Sequence, residues 1–404
     1  MEITKSLSSQ EVNPTDLKVL VCGLGGFAFG KEKRASRMFS LMNNISPHFF
    51  VSKWAVSEVE QLMKDNGFSY SITTFGYLGF KHLTWTLDNI LHMPRLFYDI
   101  LKNYYRKNCD AIVFLDTMSF FNGLPAFIWL RYIVGTKLVF YVGDIPHRTR
   151  ANLLIGRLAN WMGCYFISNS EATRNGMLGI GIQQEKTIVA YNGIDWKKQL
   201  SIVKEKDYRT LLKWNNEEII FSYIGQISLR KGILDFLSAA AMVASERTQV
   251  RFIIAGGELA ADNLFHQEIS AFIAHNGLEN KIHWAGWIKN TSDIYDCSDV
   301  LVVPSQYPDP APNVVLESMA HKCPVIGTNI GGIPELMKEG ECGLLIQPKS
   351  VEEMSSAMLK LIDQPLLRVE MGIAGLRRVQ KYFDLDKNAH FVETLIQNAV
   401  ITNE

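Results

Sequence analysis

The sequence predicts an α/β protein built from two doubly wound parallel-sheet domains. Three observations carry this. Short apolar runs recur along the chain, each followed by a turn marked by glycine or proline and then by a stretch of helical period, the alternation expected of buried parallel strands and crossover helices. A strand–glycine turn–helix unit, the opening of a doubly wound domain, occurs at 17–42 and again at 219–244. A chain of 404 residues suits two domains of ordinary size.

Composition narrows the function classes. Lys and Arg together number 41, as do Asp and Glu, so the balance does not point to a nucleic-acid partner. The charge is unevenly placed, with 20 basic against 14 acidic residues in 1–192 and 21 against 27 in the rest. A basic first half suits an anionic acceptor or lipid headgroups, and is also an ordinary solvated surface. Cysteines 22, 109, 164, 297, 323 and 342 form no CxxC and no metal-ligand spacing. With no signal peptide visible, they read as reduced, mostly buried thiols of a cytoplasmic protein that holds no metal. No apolar run reaches the ~20 residues of a membrane span; Phe120 to Val134 is interrupted by Asn122, Gly123, Pro125 and Arg131.

Leu17 to Cys22 is the first strand, followed by the glycine turn Gly23-Leu-Gly25-Gly26 and a helix over Lys31 to Met42. Gly23-x-Gly25-x-x-Ala28 fits the dinucleotide fingerprint, but the second-strand region from His48 to Trp54 carries no carboxylate for a ribose. The alternative is that Gly25 and Gly26 let backbone approach a diphosphate held mainly by the other domain. Residues 83–91 and 94–107 read as two helices, the second basic and amphipathic, with Arg95, Lys102, Arg106 and Lys107 beside Tyr98, Tyr104 and Tyr105. Such a helix rests on a membrane surface or packs against a core. Strands follow at Ala111 to Leu115, Leu138 to Val142, Tyr165 to Ile167 and Thr187 to Ala190. Asp144 and His147, in the loop after the second of these, are acceptor-site candidates, because α/β sites lie at the carboxyl edge of the sheet.

The domain boundary falls at 192–193. Beyond it, strand Ile219 to Ile224 leads into Gly225-Gln-Ile-Ser-Leu-Arg-Lys-Gly232, with Arg230 and Lys231 adjacent; both suit phosphate. Val250 to Ala255 ends in Gly256-Gly257. Lys281 to Trp284 ends in Ala285-Gly286-Trp287-Ile288, where a planar base can meet backbone amides. After strand 299–304, Tyr307-Pro-Asp-Pro-Ala-Pro-Asn-Val-Val-Leu-Glu317 makes a rigid proline loop opening a helix at Asn313. That helix start is an anion seat, flanked by Asp309 and, eight residues on, Glu317. A phosphate seat between two carboxylates suits a nucleotide-sugar. Strands at Pro324 to Gly327 and Gly343 to Ile346 and helices at 351–361, 365–381 and 385–402 complete the chain.

Asn192-Gly-Ile-Asp195, Gly225-Gln-Ile-Ser-Leu-Arg-Lys-Gly232, Ala255-Gly-Gly257, Pro304-Ser305, Asp309-x7-Glu317-Ser-Met-Ala320 and Gly331-Gly-Ile-Pro-Glu335 occur in that order. Together they resemble the retaining glycosyltransferases of GT-B architecture, family 4 (glycosyl transferases group 1), closely over 192–348 and thinly over 1–191. The resemblance implies two Rossmann-like domains facing across a cleft. Residues 1–192 would bind the acceptor and 193–384 the donor, with a last helix from about 385 packing back on the first domain. It implies transfer of a sugar from a UDP- or GDP-type donor to a glycan or lipid-linked acceptor, without cofactor or metal, in polysaccharide biosynthesis at the cytoplasmic side of a membrane. Arg230 and Lys231 would neutralise the departing diphosphate, Asp309 hold the transferred sugar, the amides of Asn313 and Val314 cradle the distal phosphate, and Glu317 accept from the ribose. Gly25, Gly26, Gly225, Gly256, Trp287 and Ile288 would complete the donor site. Two departures stand out. The first carboxylate of the family's pair, usually Glu, is Asp309, and the family's first-domain His would fall near Gly143. Competing readings are an epimerase or phosphorylase on the same fold, and an inactive nucleotide-sugar or glycan-binding scaffold.

Overall fold

The computed structural model describes residues 16–24, 30–52, 57–73, 83–202, 205–257 and 263–401. Thirteen strands among them make two sheets. The first holds β1 (Leu17–Leu24), β2 (Ile45–Ser52), β3 (Ser69–Thr73), β4 (Ala111–Phe114), β5 (Lys137–Val142), β6 (Tyr165–Ser168) and β7 (Thr187–Val189), in the order β3-β2-β1-β4-β5-β6-β7. The second holds β8 (Ile219–Ile224), β9 (Val250–Ala255), β10 (Ile282–Gly286), β11 (Val300–Val303), β12 (Val325–Thr328) and β13 (Gly343–Ile346), in the order β10-β9-β8-β11-β12-β13. The recorded pairings are parallel. In each sheet the winding reverses once, between β1 and β4 and between β8 and β11. Such switch points leave a crevice beyond the carboxyl ends of the strands.

Buried strands read as continuous apolar runs because helices cover both faces. In β8, Phe221 and Tyr223 join one core with Ile233, Phe236, Leu237, Ala240 and Val243 of the helix Ile233–Glu246. Ile220, one residue before Phe221, points to the opposite core with Ile253 and Ile294. The helix residues recur at the i, i+3, i+4, i+7 spacing of one helical face. In the first sheet Phe114 packs against Phe127 and Phe140 at centroid separations of 4.7 and 4.8 Å. The strand β3, Ser-Tyr-Ser-Ile-Thr, escapes sequence reading because it is a polar edge strand with only Thr73 buried.

Two compact units emerge, one of residues 1–140, 162–165 and 392–404 and one of 141–161 and 166–391. In the first, Glu393 of the last helix, Leu385–Ile401, accepts a hydrogen bond from the Asn44 N–H. All six cysteines are buried and unbridged. Among the described residues no helix is long and apolar enough to cross a membrane.

One expectation needs correction. The two helices expected on either side of Pro94 are a single helix, Leu83–Arg106, with the proline inside it. An interior proline costs a helix about 3 kcal/mol. Here Pro94 is exposed, and one face of the following turns buries Leu96, Ile100 and Tyr104, which offsets that penalty.

The end of this helix also sets a pH response. The His48 ring of β2 is 4% exposed, and its Nδ1 and Nε2 lie 2.8 and 2.9 Å from the hydroxyls of Ser69 and Ser71. Burial first, and the charge of Lys107 second, lower its pKa from 6.5 to about 4, against an opposing contact from Asn103. Because the folded pKa lies below the unfolded one, its contribution to stability is present above pH 6.5 and is lost as pH falls through about 4. His48→Gln should flatten the pH dependence of Tm in that window. Superimposable wild-type and variant curves would remove His48 as the cause.

Candidate functional site

Gly225, Lys231, Asp309, Asn313, Val314 and Glu317 converge at the switch point of the second sheet. A cavity of about 210 Å³ is lined by Tyr223, Ile224, Gly225, Gln226 and Lys231 from the end of β8 and by 302–305, Asp309, Pro312, Asn313, Val314 and Glu317 from the end of β11. β8 and β11 are neighbours, with Val300 opposite Phe221 and Leu301 opposite Ser222. Two loops 78 residues apart in sequence are therefore delivered to one place.

The β8 loop closes with a 3₁₀ turn, Leu229–Lys231, capped by Gly232 in the left-handed region at φ 74°. A Cβ at Gly232 would overlap the carbonyl of Pro304, so glycine is what lets this loop lie against the end of β11. The Gln306 N–H donates to the Arg230 carbonyl at 2.9 Å and joins the two loops. Lys231 forms an ion pair with Asp309. The Arg230 guanidinium lies 5.4 Å from the centroid of the Tyr307 ring, a cation–π contact, and is not among the residues that line the cavity.

The β11 loop ends at Pro312, whose φ of −68° and ψ of 118° make it the N-cap of the helix Asn313–Ala320. No side chain caps that terminus. The amides of Asn313 and Val314, at the positive end of the helix dipole, therefore have no side-chain cap, and both residues line the cavity. From the second turn Glu317 also faces it, and its Oε2 accepts from the Tyr295 hydroxyl at 2.9 Å. The Gly331–Gly332 turn backs the loop: the Gly332 N–H donates to the Asp309 carbonyl at 2.8 Å, and a Cβ on Gly332 would overlap the carbonyl of Pro310.

The other expected residues are placed as follows. Gly256, at φ 155°, lies against Gly225, whose carbonyl a Cβ would overlap. Trp287 is 73% exposed and packs beside Gly257, while Ile288 is half-buried against the Ile220 core. Neither lines the cavity. Asp144 and His147 lie exposed after β5, where the His147 carbonyl accepts from the Thr149 N–H and the Asn152 side chain. Gly25 and Gly26 lie outside the described residues. Tyr295 was missed by sequence reading, since nothing in its own segment marks an apolar-looking Tyr as a partner of a carboxylate 22 positions on.

A larger cavity, about 470 Å³, lies around Lys206, Arg209, Trp214 and Asp293. It sits at the amino end of β8, and its charges are largely engaged. Arg209 pairs with Asp299 at 2.7 Å, Asp207 caps the turn Tyr208–Leu211, and Asp293 accepts from the amides of Glu205 and Lys206. Convergent polar chemistry, rather than size, marks the smaller cavity as the site.

Comparison with known proteins agrees with this placement. Residues 204–378 match the model of the family described as glycosyl transferases group 1. The capsular polysaccharide biosynthesis glycosyltransferase CapM of Staphylococcus aureus is 27% identical over 240 residues, 57% of this chain and 60% of that protein. An Escherichia coli galactosyltransferase, described as UDP-Gal:alpha-D-GlcNAc-diphosphoundecaprenol alpha-1,3-galactosyltransferase, is 25% identical over 213 residues, 50% of this chain and 54% of that protein. The matched stretches thus span little more than half of these relatives. HepE of Anabaena, solved with UDP and with UDP-glucose, superposes with TM-scores of 0.79 and 0.77 over 95% of this chain and 100% of its own, at 20 and 21% identity. The chain has two Rossmann-like α/β domains of the GT-B fold, and its residues 204–378 carry the pattern of glycosyl transferases group 1.

Proposed function

We propose that the protein is a retaining, metal-independent glycosyltransferase of family 4, which moves a sugar from a nucleoside-diphosphate donor to a hydroxyl of a glycan or lipid-linked saccharide. One observation carries the reading: Lys231, Asp309, the uncapped amides of Asn313 and Val314, and Glu317 line a single cavity at the carboxyl edge of the second sheet. Charge develops on the diphosphate as the glycosidic bond breaks. A fixed lysine and a helix N-terminus oppose that charge without reorganising, the condition under which electrostatic stabilisation is strongest. Arg230 supplements them from its seat on Tyr307. Asp309 holds sugar hydroxyls and Glu317 those of the ribose. Retention follows from attack on the face the diphosphate leaves. In this reading residues 193–384 form the donor domain, and 1–192 with the last helix form the acceptor domain, where Asp144 and His147 contact the acceptor. HepE's complexes with UDP and UDP-glucose favour UDP as the first nucleotide to test, and the names of the S. aureus and E. coli relatives favour a surface-polysaccharide acceptor.

Thermal shift against UDP, GDP, ADP, TDP and CMP tests the donor half. A nucleotide at 100 times its Kd should stabilise by about 2.7 kcal/mol. Stabilisation is expected for UDP or GDP in the wild type and not in the Arg230→Ala/Lys231→Ala variant. Silence from every nucleotide would remove the reading.

For the acceptor half, we further propose that the protein works at the cytoplasmic face of a membrane. The helix Leu83–Arg106 exposes Arg95, Tyr98, Tyr105 and Arg106 along one side, with the half-buried Lys102 5.5 Å from the centroid of the Tyr98 ring. The turn Leu130–Val134 exposes Tyr132, Ile133 and Val134. Exposed aromatic and basic groups such as those of the helix suit an anionic bilayer surface. Sedimentation with vesicles containing anionic lipid at low salt should be lost in Lys102→Glu/Arg106→Glu. Equal recovery of both proteins from the supernatant would exclude the surface.

A further inference from the structure

Glu317 is held from outside the cavity. Tyr295, on the short helix Ser292–Cys297, is 1% exposed, and its hydroxyl lies 2.9 Å from Glu317 Oε2. Its ring stacks on His321 at a centroid separation of 5.4 Å and an interplanar angle of 28°. His321 is itself fixed, with a side chain 2% exposed and Nδ1 2.7 Å from Asp296 Oδ1. Glu317 and His321 are four residues apart, one turn along the same helical face. The phenol is therefore held by the carboxylate at its hydroxyl and by a pinned imidazole on its ring face. A buried tyrosine needs some acceptor for its O–H. The acceptor here is the second of the two carboxylates that line the cavity. Burial, reinforced by the Glu317 charge, raises the Tyr295 pKa well above its ordinary value, so the phenol keeps its proton to donate.

We propose that Tyr295 is a positioning residue that presets Glu317 for ribose hydroxyls and so makes the cavity selective for ribonucleotides over nucleotides lacking those hydroxyls. The inference rests on the nucleoside-diphosphate reading of the same cavity. A glutamate has three side-chain torsions, and on a helix surface it samples several rotamers. Anchoring one oxygen removes that freedom before the ligand arrives. The selectivity arises because a polar group oriented for a hydroxyl is left unpaired by a ligand that lacks one.

The test measures Kd for UDP and 2′,3′-dideoxy-UDP, and for GDP and its dideoxy analogue, on wild type, Tyr295→Phe, Glu317→Gln and the double variant. Hydrogen bonds to a charged group imply a wild-type preference for the ribonucleotide of about tenfold or more. Tyr295→Phe, which keeps the ring on His321, should cut that preference at least threefold while leaving dideoxynucleotide affinity unchanged. The double variant should match Glu317→Gln alone, because the phenol acts only through the carboxylate. A Tyr295→Phe protein with lowered Tm but an unchanged ribose preference would show a packing role only and overturn the proposal. If no nucleotide of the thermal-shift series binds the wild type, the nucleotide reading itself falls and the proposal with it. That outcome appears in the wild-type arm alone and is thus distinct from failure of the tyrosine.

Discussion

Lys231→Ala should lower kcat/KM for sugar transfer by about 10²–10³, the range seen when one group stabilising a developing oxyanion is removed. Two effects add. The variant loses the cation that faces the departing diphosphate. It also leaves the Asp309 carboxylate, 19% exposed and now without its ion-pair partner, beside the place where that negative charge builds. Asp309→Asn separates the two effects, because it releases Lys231 from the pair without removing the cation. Nucleotide binding should persist or tighten in Asp309→Asn while transfer falls, since the sugar end has lost its carboxylate. Steady-state kinetics with a UDP-sugar and an acceptor extract, beside nucleotide Kd for each variant, provide the check. Lys231→Ala within threefold of wild type would remove the lysine from both roles.

Gly256→Ala should be the most damaging of the single-methyl additions around the site. Its φ of 155° belongs to a region that residues with a side chain rarely adopt, and the added Cβ would overlap the Gly225 carbonyl, which is backbone and cannot swing aside. Backbone strain of 1–3 kcal/mol and overpacking of similar size together imply about 3 kcal/mol or more. For a unit of this size that corresponds to a fall in Tm of roughly 6–12 °C. The adjacent Gly257→Ala is the control. A Cβ there meets the Trp287 side chain at 3.6 Å, an ordinary contact, and Tm should move by little. Equal Tm values for the two variants would show that β8 and β9 separate enough at their carboxyl ends to admit the methyl. Should Gly256→Ala fold but bind nucleotide poorly, the glycine acts mainly by setting the path of the Gly225 loop.

The cavity also shows where local sequence stops being informative. Three prolines and a helix period place Asp309 in a loop and Glu317 one turn into a helix, and the structure keeps both there. Each inference uses only stereochemistry within a few residues. The single helix through Pro94 shows the opposite case, in which a strong local signal yields to the burial of Leu96, Ile100 and Tyr104 against the rest of its unit. Trp287 illustrates a third. The glycine-marked strand end before it was legible, but whether its ring faces the cavity depended on the course of the chain beyond β10, and the ring is largely exposed beside Gly257.

From sequence alone came the alternation of strands and helices, the division of the strands into two sheets, and the chemistry of the loops at 225–232 and 304–317. All of these are written in short windows, as apolar periodicity, φ restriction by proline and the steric permission of glycine. Strand order was decided only in three dimensions. Because β8 lies beside β11 as well as beside β9, Lys231 meets Asp309 across 78 positions, Arg230 reaches Tyr307, and Asn313 and Val314 line one cavity with the end of β8. The partnership of Tyr295 with Glu317 was settled in the same way. Such pairings are fixed by which hydrophobic faces bury one another across the whole unit, and no window of the chain contains both sides of that choice.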